Sequence, residues 1–334
     1  MKTPNQHNTV PLLEVRNLSL RFGQREQVAV DRVSFSIIPG STLGLVGATG
    51  AGKSSIARAI MRLIAVESGE ILFKGENILQ MDSRQLMATR QHMQLVFQEP
   101  SASLSPRRTV QQSLLEPLKH FAIGNSDSRQ AKIRQILQTV GLDQDVLRRY
   151  PHQFSSGQQQ RIAIARALVT SPDLLIADEA VASLDVSMQA QILQLIQTLQ
   201  KEHGISFLFI SHDLAVIRQI ADDIAVLYRG QLLEQSPADT FFSKPAHPYS
   251  RALLSFASGR TPIRLADDKW RLERGRASTD TSSSCIFTGN CPDKMPVCEQ
   301  HEPAGHYLHT KNQHAVGPHC VKCHLYNEVS SNET

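Results

Sequence analysis

The sequence predicts an α/β fold in which helices cover a mainly parallel β-sheet, with an antiparallel β layer preceding it. Three observations lead to this prediction. Short, nearly continuous apolar runs alternate along the chain with segments of helical periodicity. One of these runs leads into a glycine-rich loop that ends in a lysine and opens a helix. Regular alternation of apolar and polar residues is confined to the first part of the chain, where it indicates half-buried strands.

The composition is that of an ordinary globular protein, with 334 residues of which 41% are hydrophobic and 20% charged. No apolar run approaches the roughly 18 to 20 residues that a membrane-spanning helix requires. Any membrane role is therefore expected to come through a partner. Residues 1–11 lack the apolar core of a secretory signal, which predicts a cytoplasmic location. The net charge of +4 is too small to indicate nucleic acid as a partner.

The strands are predicted from two different patterns. Leu12 to Leu20 and Val28 to Ile38 alternate apolar and polar residues before the turn at Pro39 and Gly40, which predicts the antiparallel layer. The later apolar runs suit parallel strands that are covered on both faces. They are Leu43 to Val46, Met93 to Phe97, Leu174 to Ala177, Phe207 to Ile210 and Ile224 to Tyr228.

Helical periodicity appears between these strands, at Ser54 to Ile64, Ser128 to Val140 and Met188 to His203. Residues 99–160 contain no strong strand, which predicts a helical insertion. We predict a nucleotide-binding domain over residues 1–255, a polar linker over 256–284 and a small Cys/His-rich C-terminal element over 285–334.

A phosphate-binding loop follows the first of the parallel strands and opens a helix, which is the context that a P-loop requires. Its glycines let backbone amides surround the phosphates, and Lys53 brings a positive charge to the β and γ oxygens. Ser54 is predicted to hold Mg²⁺, and Ser55 to add a phosphate hydrogen bond. The loop reads Gly47-Ala48-Thr49-Gly50-Ala51-Gly52-Lys53-Ser54. ATP or GTP binding follows from this loop, with Gly47, Gly50 and Gly52 as its glycines.

Polar side chains follow three other predicted strands, at the end where ligands of open α/β sheets bind. Asp178 is predicted to hold Mg²⁺, and Glu179 to orient and polarise the attacking water. His212 is predicted to hydrogen-bond the γ-phosphate or that water. Gln98 could reach Mg²⁺ or water and couple the nucleotide state to the helical insertion. Together these residues predict nucleotide hydrolysis at one edge of the sheet.

The motif Phe154-Ser155-Ser156-Gly157-Gln158-Gln159-Gln160-Arg161 resembles the signature motif of ABC ATPases, which usually reads Leu-Ser-Gly-Gly-Gln. Phe replaces Leu here, and Ser156 replaces the first glycine. The rest of that family's pattern is also present: the P-loop, Gln98, Asp178-Glu179, the D-loop Ser183-Leu184-Asp185 and the switch residue His212. The resemblance implies a P-loop NTPase fold of the ABC ATPase type, with ATP and Mg²⁺ as ligands.

The family architecture implies a head-to-tail dimer in which each ATP lies between one P-loop and the signature motif of the other subunit. Ser155 and Gly157 would thus contact the partner's nucleotide, with Gln158 and Asp185 in the same nucleotide-binding set. Phe22 matches the aromatic residue that stacks on adenine in this family. The alternative for Phe22 is a core aromatic at the end of a strand.

Two further stretches resemble the ABC subunits that drive uptake of dipeptides, oligopeptides or nickel. They are Gln98 to Arg107 and His247 to Leu254. The first is similar to the second ATPase subunit of that group, which implies a heterodimer with a related ATPase, a homodimer being the alternative. The resemblance also implies two transmembrane permease subunits, an extracytoplasmic solute-binding protein acting indirectly, and a peripheral position on the cytoplasmic face of the inner (plasma) membrane.

Two other functions remain open from the sequence. One is a soluble ABC ATPase in DNA repair or translation, although such proteins usually carry two ATPase motif sets or a long coiled coil, and this chain shows neither. The other is a weakly active regulatory ABC subunit, motivated by Ser156 and by Ala180, which stands where the family usually has proline. Measured turnover would separate the second from an active subunit.

All five cysteines lie in the last 50 residues. Because a reducing cytoplasm disfavours structural disulfides, such clustering suggests metal or cluster ligation. The set Cys285, Cys291, Cys298 and Cys323 is similar to the C-terminal element of the peptide and nickel uptake group, which implies a [4Fe-4S] cluster on these four, with Cys320 as an extra cysteine. Zinc, with His319 and His324 as further candidate ligands, and a metal-free element are the alternatives.

Overall fold

The computed structural model of the chain describes residues 10–22, 27–100, 103–257, 284–308 and 319–327, apart from the side chains of Phe22 and Gln27. The adenine-stacking prediction for Phe22 therefore lies outside the described side chains. The strands are β1 (Leu13–Phe22), β2 (Gln27–Ile37), β3 (Thr42–Val46), β4 (Ser68–Phe73), β5 (Glu76–Asn77), β6 (Met93–Val96), β7 (Leu174–Asp178), β8 (Ser206–Ser211), β9 (Asp223–Tyr228), β10 (Gln231–Pro237), β11 (Gly305–Leu308) and β12 (His319–Lys322).

The helices connect and cover these strands. They are α1 (Lys53–Ile60), α2 (Ser83–His92), α3 (Val110–His120), α4 (Ser126–Thr139), α5 (Ser156–Leu168), α6 (Val186–His203), α7 (Leu214–Ile220), α8 (Ala238–Ser243), α9 (Pro248–Ala257) and α10 (Val297–Gln300). Single 3₁₀ turns occur at Gln144–Arg148, Pro151–Gln153, Thr288–Asn290 and His324–Tyr326. Within the described ranges, none of the helices combines the length and the apolar character needed to cross a bilayer.

The central layer is a sheet of strand order β11-β12-β10-β9-β3-β8-β7-β6. From β9 to β6 neighbouring strands are parallel, as the apolar runs predict. Strands β3, β7 and β8 are buried along their whole length. Side chains of a strand alternate between the two faces: in β8, Phe207 and Phe209 pack into the core on the side of the helical insertion, whereas Leu208 and Ile210 pack into the core beneath the antiparallel layer.

The antiparallel layer has the strand order β2-β1-β4-β5. Strand β1 pairs with β2 from Leu13 opposite Ile37 at one end to Phe22 opposite Gln27 at the other. Apolar residues of this layer, such as Val15, share a core with α1 and β3. The sequence analysis predicted β1 and β2 but not β4 or β5. The layer thus covers one face of the sheet next to the phosphate-binding loop.

Helices α3 and α4 lie between β6 and α5, in the segment for which a helical insertion was predicted. Each begins with a capping box, in which the side chains of Thr109 and Asn125 accept from the backbone N–H three residues on. Their buried residues Leu114 and Ile133 share a core with Ile162 of α5. Because residues 258–283 lie outside the described ranges, the division into domain, linker and C-terminal element stays a prediction.

The cysteine-bearing residues continue the central sheet, which the sequence analysis did not predict. Strand β12 pairs with β10 in antiparallel register, Glu234 opposite Val321 and Gln235 opposite Cys320. Strand β11 then pairs with β12. We call residues 284–308 and 319–327 the C-terminal extension. Through β12 the extension is joined by hydrogen bonds to the strands that carry the nucleotide motifs.

Candidate functional site

The phosphate-binding loop turns sharply from β3 into α1, and glycine is required at two of its positions. Gly47 and Gly52 have φ of 154° and 105°, in the region that favours glycine. A Cβ atom on Gly47 would lie 2.1 Å from the Leu227 carbonyl oxygen, and one on Gly52 would lie 2.5 Å from that of Ala29. The loop therefore packs directly on the backbone of neighbouring strands, with the N-terminus of α1 beneath it.

Lys53, the first residue of α1, is turned back onto this loop. Its Nζ donates to the carbonyl oxygens of Gly47 at 2.8 Å and Ala48 at 2.9 Å. Burial lowers the pKa of Lys53, while the carboxylates of Glu179 and Asp178 act in the opposite direction. Two backbone carbonyls of the loop thus hold the ammonium group at the site where the phosphate groups of a nucleotide are expected to bind.

The predicted magnesium ligands lie together at the end of β7 and the start of α1. The Ser54 hydroxyl donates to Asp178 Oδ1 at 2.9 Å. Burial raises the pKa of Asp178, and the nearby Glu179 adds to this effect. A hydroxyl and a carboxylate oxygen are ligands that suit Mg²⁺.

Glu179 follows Asp178 and has a left-handed backbone conformation, with φ of 50°. Such a conformation is uncommon outside glycine and often occurs at functional sites. Its backbone N–H donates to the Ile210 carbonyl at 3.0 Å, which ties the turn to β8. His212 Nδ1 lies 3.2 Å from Glu179 Oε1. The structure therefore brings the two predicted hydrolytic residues into direct contact.

Gln98 follows β6 and is exposed to solvent. The strand order β3-β8-β7-β6 places it on the same edge of the sheet as the phosphate-binding loop, His212 and Asp178. All four strands are parallel, so their C-terminal ends face the same way. The sheet thus collects the predicted residues from four separate parts of the chain.

The signature motif forms the N-terminus of α5. The Ser155 side chain caps this helix by accepting from the Gln158 N–H at 3.3 Å, and the Gln158 side chain accepts from the Ser155 N–H at 3.2 Å. A Cβ on Gly157 would lie 1.9 Å from Cε and 3.3 Å from Cβ of Met188, so a larger residue there would require the Met188 side chain of α6 to move. Asp185 caps α6 by accepting from the Met188 N–H at 3.0 Å.

Ser156 takes the place of the usual glycine without strain. It is the first residue of α5, and it is not among the described residues with positive φ. Its side chain is exposed. The backbone therefore tolerates a β-carbon at this position of the motif.

Comparison with known proteins identifies the family. Residues 30–182 match the ABC transporter family, and residues 233–298 match the oligopeptide/dipeptide transporter C-terminal region. The chain is 40% identical to the putative oligopeptide transport ATP-binding protein YkfD of Bacillus subtilis, over 97% of this chain and 98% of that protein. It is 38% identical to the oligopeptide transport ATP-binding protein AppF of the same organism, over 96% and 98%. This chain belongs to the ABC transporter ATP-binding proteins of the oligopeptide/dipeptide group.

Solved structures agree with this assignment. The ABC subunit is similar to cbiO1 of Clostridium perfringens, part of an ABC transporter complex, with a TM-score of 0.64 and 26% identity over 70% of this chain and 91% of that one. It is also similar to a dimeric ATP-binding cassette solved in a post-hydrolysis state with ADP and Pi, with a TM-score of 0.61 and 26% identity over 68% and 98%. The α/β fold of the ABC ATPase type and its ATPase activity are thereby established.

One contact of the ATP site was not predicted. The backbone N–H of Ala48 in the phosphate-binding loop donates to the hydroxyl of Tyr249 in α9 at 3.2 Å. Tyr249 lies within the family-like stretch His247 to Leu254, but no local pattern indicates that this residue reaches the loop.

Three of the five thiols in the extension of the ABC subunit, those of Cys285, Cys298 and Cys323, are buried. Burial raises the pKa of Cys291 to about 11, with further contributions from Cys323 and Cys285. Burial also raises the pKa of Cys285 and Cys323, and Cys298 adds to both. For Cys320, burial is the cause of the raised pKa, and none of the other four thiols, all within the described residues, contributes.

The two histidines considered as zinc ligands bind protein oxygens. His319 Nε2 donates to Glu234 Oε1 at 3.0 Å, and His324 Nε2 donates to the His301 carbonyl at 2.9 Å. Among the described residues, no group of three or more His, Cys, Asp or Glu side chains is arranged to hold a metal ion. The described residues therefore contain no preformed metal site, whether for zinc or on the four cysteines.

Proposed function

We propose that this ABC subunit hydrolyses MgATP to power uptake of peptides through a membrane transporter. The observation that carries the proposal is the convergence of the phosphate-binding loop, Asp178, Glu179 and His212 on one sheet edge, in a chain whose C-terminal region matches oligopeptide/dipeptide transporters. Relatives named as peptide import ATP-binding proteins support peptides as the cargo; one from Brucella ovis is 41% identical over 86% of this chain and 92% of its own length.

The residues divide the chemistry between binding and hydrolysis. Lys53 leaves the carbonyls of Gly47 and Ala48 for the phosphate oxygens of ATP, so one set of acceptors replaces another. Ser54 and Asp178 would hold Mg²⁺, which neutralises charge on the phosphates. Glu179 accepts a hydrogen bond from the attacking water and orients it.

His212 and Gln98 complete the hydrolytic edge. Through Nδ1, His212 restrains the Glu179 carboxylate in the ground state and leaves its other ring nitrogen for the γ-phosphate or the water. Gln98 stands at the start of the helical insertion, where it would pass the state of the site to α3 and α4.

The remaining motif residues serve a second ATPase subunit. Ser155, Gly157, Gln158 and Asp185 lie at the N-termini of α5 and α6, where backbone N–H groups and helix dipoles favour an anion. A head-to-tail dimer would bring them to the partner's ATP. A solved relative of this chain is itself dimeric.

We further propose the remaining partners and the location. A related ATPase subunit, or a second copy of this chain, forms the dimer. Two permease subunits anchor that dimer to the cytoplasmic face of the plasma membrane, and an extracytoplasmic binding protein delivers the peptide to them. The relatives' names, which describe transport and import ATP-binding proteins, support this arrangement.

We also propose that Cys285, Cys291, Cys298 and Cys323 bind a [4Fe-4S] cluster. The support is that Cys285, Cys291 and Cys298 pack in one hydrophobic cluster, and that Cys323 contributes to the raised pKa of Cys291. Four thiolates are the usual ligands of such a cluster. The four cysteines, on separate segments of the extension, would hold the cluster and be cross-linked through it.

The test of the transport function combines hydrolysis with copurification. We expect Glu179→Gln to lower ATP turnover about 100-fold or more while nucleotide binding persists, because the amide cannot accept a proton. Glu202→Gln, at an exposed position near the end of α6, is the matched control and should keep turnover. Tagged chain from gently solubilised membranes should bring along two permeases and a sister ATPase. Ribosomal or DNA-associated companions in their place would contradict the proposal.

A further inference from the structure

Tyr249 is held in place by the residues immediately before it. Glu234 accepts from the backbone N–H of His247 at 2.7 Å, and His247 Nδ1 accepts from the backbone N–H of Tyr249 at 3.0 Å. His247 thereby caps α9, with Pro248 as the first helical residue. These two hydrogen bonds fix the backbone at the start of α9, where the Tyr249 side chain reaches the phosphate-binding loop.

The Tyr249 ring packs against two aromatic neighbours, which also contact each other. The ring centroid of Tyr228, at the end of β9, lies 4.6 Å away, and that of Phe287 lies 5.4 Å away. Phe287 belongs to the C-terminal extension, follows Cys285 by two positions and is 3% exposed. Burial raises the pKa of Tyr249 to about 12, so the phenol is neutral at physiological pH.

Both polar backbone groups of Ala48 are engaged. Its N–H donates to the Tyr249 hydroxyl at 3.2 Å, and its carbonyl accepts from Lys53 at 2.9 Å. One residue of the loop thus links the lysine that binds phosphate to a side chain from the C-terminal part of the chain. A loop fixed in this way loses less conformational freedom when a nucleotide binds.

We propose that Tyr249 is a positioning residue of the ATP site: its hydroxyl orders the start of the phosphate-binding loop, and Phe287 of the C-terminal extension keeps that hydroxyl in place. This inference rests on the ATP-binding function and adds a structural route from the cysteine-bearing extension to the nucleotide. Since the contact belongs to the loop rather than to the reacting atoms, it acts on ADP and ATP alike.

The test uses the full chain and removes only the hydroxyl. We expect Tyr249→Phe to raise the dissociation constants of MgADP and MgATP by the same factor, about three- to tenfold, as for the loss of one hydrogen bond. In the assembled complex KM should rise and kcat should stay within about twofold. This pattern is expected when an interaction that is equally strong in the ground state and the transition state is lost. Equal affinities for wild type and variant, or tighter binding by the variant, would overturn the inference.

Tyr326→Phe is the matched control. The Tyr326 hydroxyl donates to the Ala246 carbonyl at 3.1 Å, so this change also removes one tyrosine hydrogen bond to backbone, but away from the loop. It should leave both nucleotide affinities unchanged. A loss like that of Tyr249→Phe would mean that general loosening of the extension, rather than the contact with Ala48, is responsible.

The role of Phe287 is tested with Phe287→Leu, which keeps an apolar side chain. This change should weaken MgADP binding about two- to fivefold, and the double variant with Tyr249→Phe should be no weaker than Tyr249→Phe alone, because both act through one hydroxyl. Additive losses, or no loss, would refute the link to the extension. Failure of the wild type to bind MgADP would instead count against the ATP site itself.

Discussion

Glu234 carries a carboxylate at a fully buried position between α9 and the extension. Burial opposes its ionisation, but hydrogen bonds from His319 and from the backbone N–H groups of Ala246 and His247 outweigh it, so its pKa lies below the usual value. A buried charge satisfied by several donors orients the groups around it. Here it fixes both the start of α9 and strand β12.

Because the neighbouring His247 is buried and neutral, we expect the free energy of unfolding to decrease at acid pH. Burial lowers its pKa to about 4, with Glu234 acting to raise it and Arg251 to lower it further. The unfolded chain binds this proton near pH 6.5, so between about pH 6.5 and 4 protonation favours unfolding and stability falls as the pH falls. The loss between pH 7.5 and pH 5 should be about 2 kcal/mol.

The measurement compares urea unfolding of wild type and His247→Asn at both pH values. Asparagine keeps a capping oxygen for the Tyr249 N–H but does not titrate. The variant should therefore show a smaller loss at pH 5. Burial raises the pKa of Asp223 to about 6 and produces the opposite pH dependence, but equally in both proteins. Identical pH dependence in the two proteins would contradict this assignment.

At the scale of elements, α5 combines two roles at its first turn. Ser155 caps the helix, and the same serine is proposed to contact the partner's ATP. The structural role alone would explain the presence of serine, since an N-cap contributes about 1 kcal/mol. Two substitutions separate these roles.

Ser155→Ala should lower the unfolding free energy by about 1 kcal/mol, whereas Ser155→Asp should preserve it, because aspartate is an equally good N-cap and suits the helix dipole. In the assembled complex, Ser155→Asp should nevertheless abolish most ATP turnover, since its charge would face the partner's phosphates. Unfolding curves and ATPase rates check the two statements. Normal turnover in Ser155→Asp would show that the serine serves only as a cap.

The elements that the sequence predicted are those with an unambiguous burial pattern. Strands β3, β7 and β8 were predicted to within about one residue because both faces are buried, which requires continuous apolar runs. Strand β10 was missed because it contains Gln231, Glu234 and Gln235, and its buried glutamate is satisfied only by groups distant in sequence. A local sequence pattern does not show that a polar residue is buried when its hydrogen-bond partners are distant in sequence.

The candidate site also contains features that the sequence predicted and one contact that it did not. Motif spacing located Lys53, Asp178, Glu179 and His212, since each is tied to the end of a buried strand or the start of a helix. The contact between Tyr249 and Ala48 joins residues 201 positions apart and depends on how α9 docks. No periodicity or motif could have predicted it.

For the whole molecule, one continuous sheet connects the nucleotide site to the extension. Strand β3 carries the phosphate-binding loop, and β9 and β10 link it to β12. On the surface, Glu302 of the extension pairs with Arg32 of the antiparallel layer at 2.7 Å and also with Lys322. The exposed pair with Arg32 contributes little. The sheet and the aromatic packing around Phe287 hold the extension in place.

Cluster binding by the four cysteines would depend on how the whole extension is docked on the central sheet. The four thiols proposed as ligands come from different elements. Cys285 lies before the 3₁₀ turn Thr288–Asn290 and Cys291 directly after it, Cys298 lies in α10, and Cys323 follows β12. Because Cys323 is far from the other three in sequence, only a folded extension docked on β10 could bring it to them. We therefore expect Cys285→Ser, Cys291→Ser, Cys298→Ser and Cys323→Ser each to abolish iron and acid-labile sulfide in anaerobically purified full chain, together with its visible absorption.

Cys320→Ser is the control that this chain itself offers. Cys320 lies in β12 opposite Gln235 and Tyr307, and burial rather than another thiol raises its pKa. The substitution should leave iron and sulfide contents at wild-type levels. Zinc in place of iron in the wild type, or equal loss in Cys320→Ser, would contradict the cluster. Loss of the cluster should also lower the unfolding free energy, because a ligand bound only by the folded state stabilises that state.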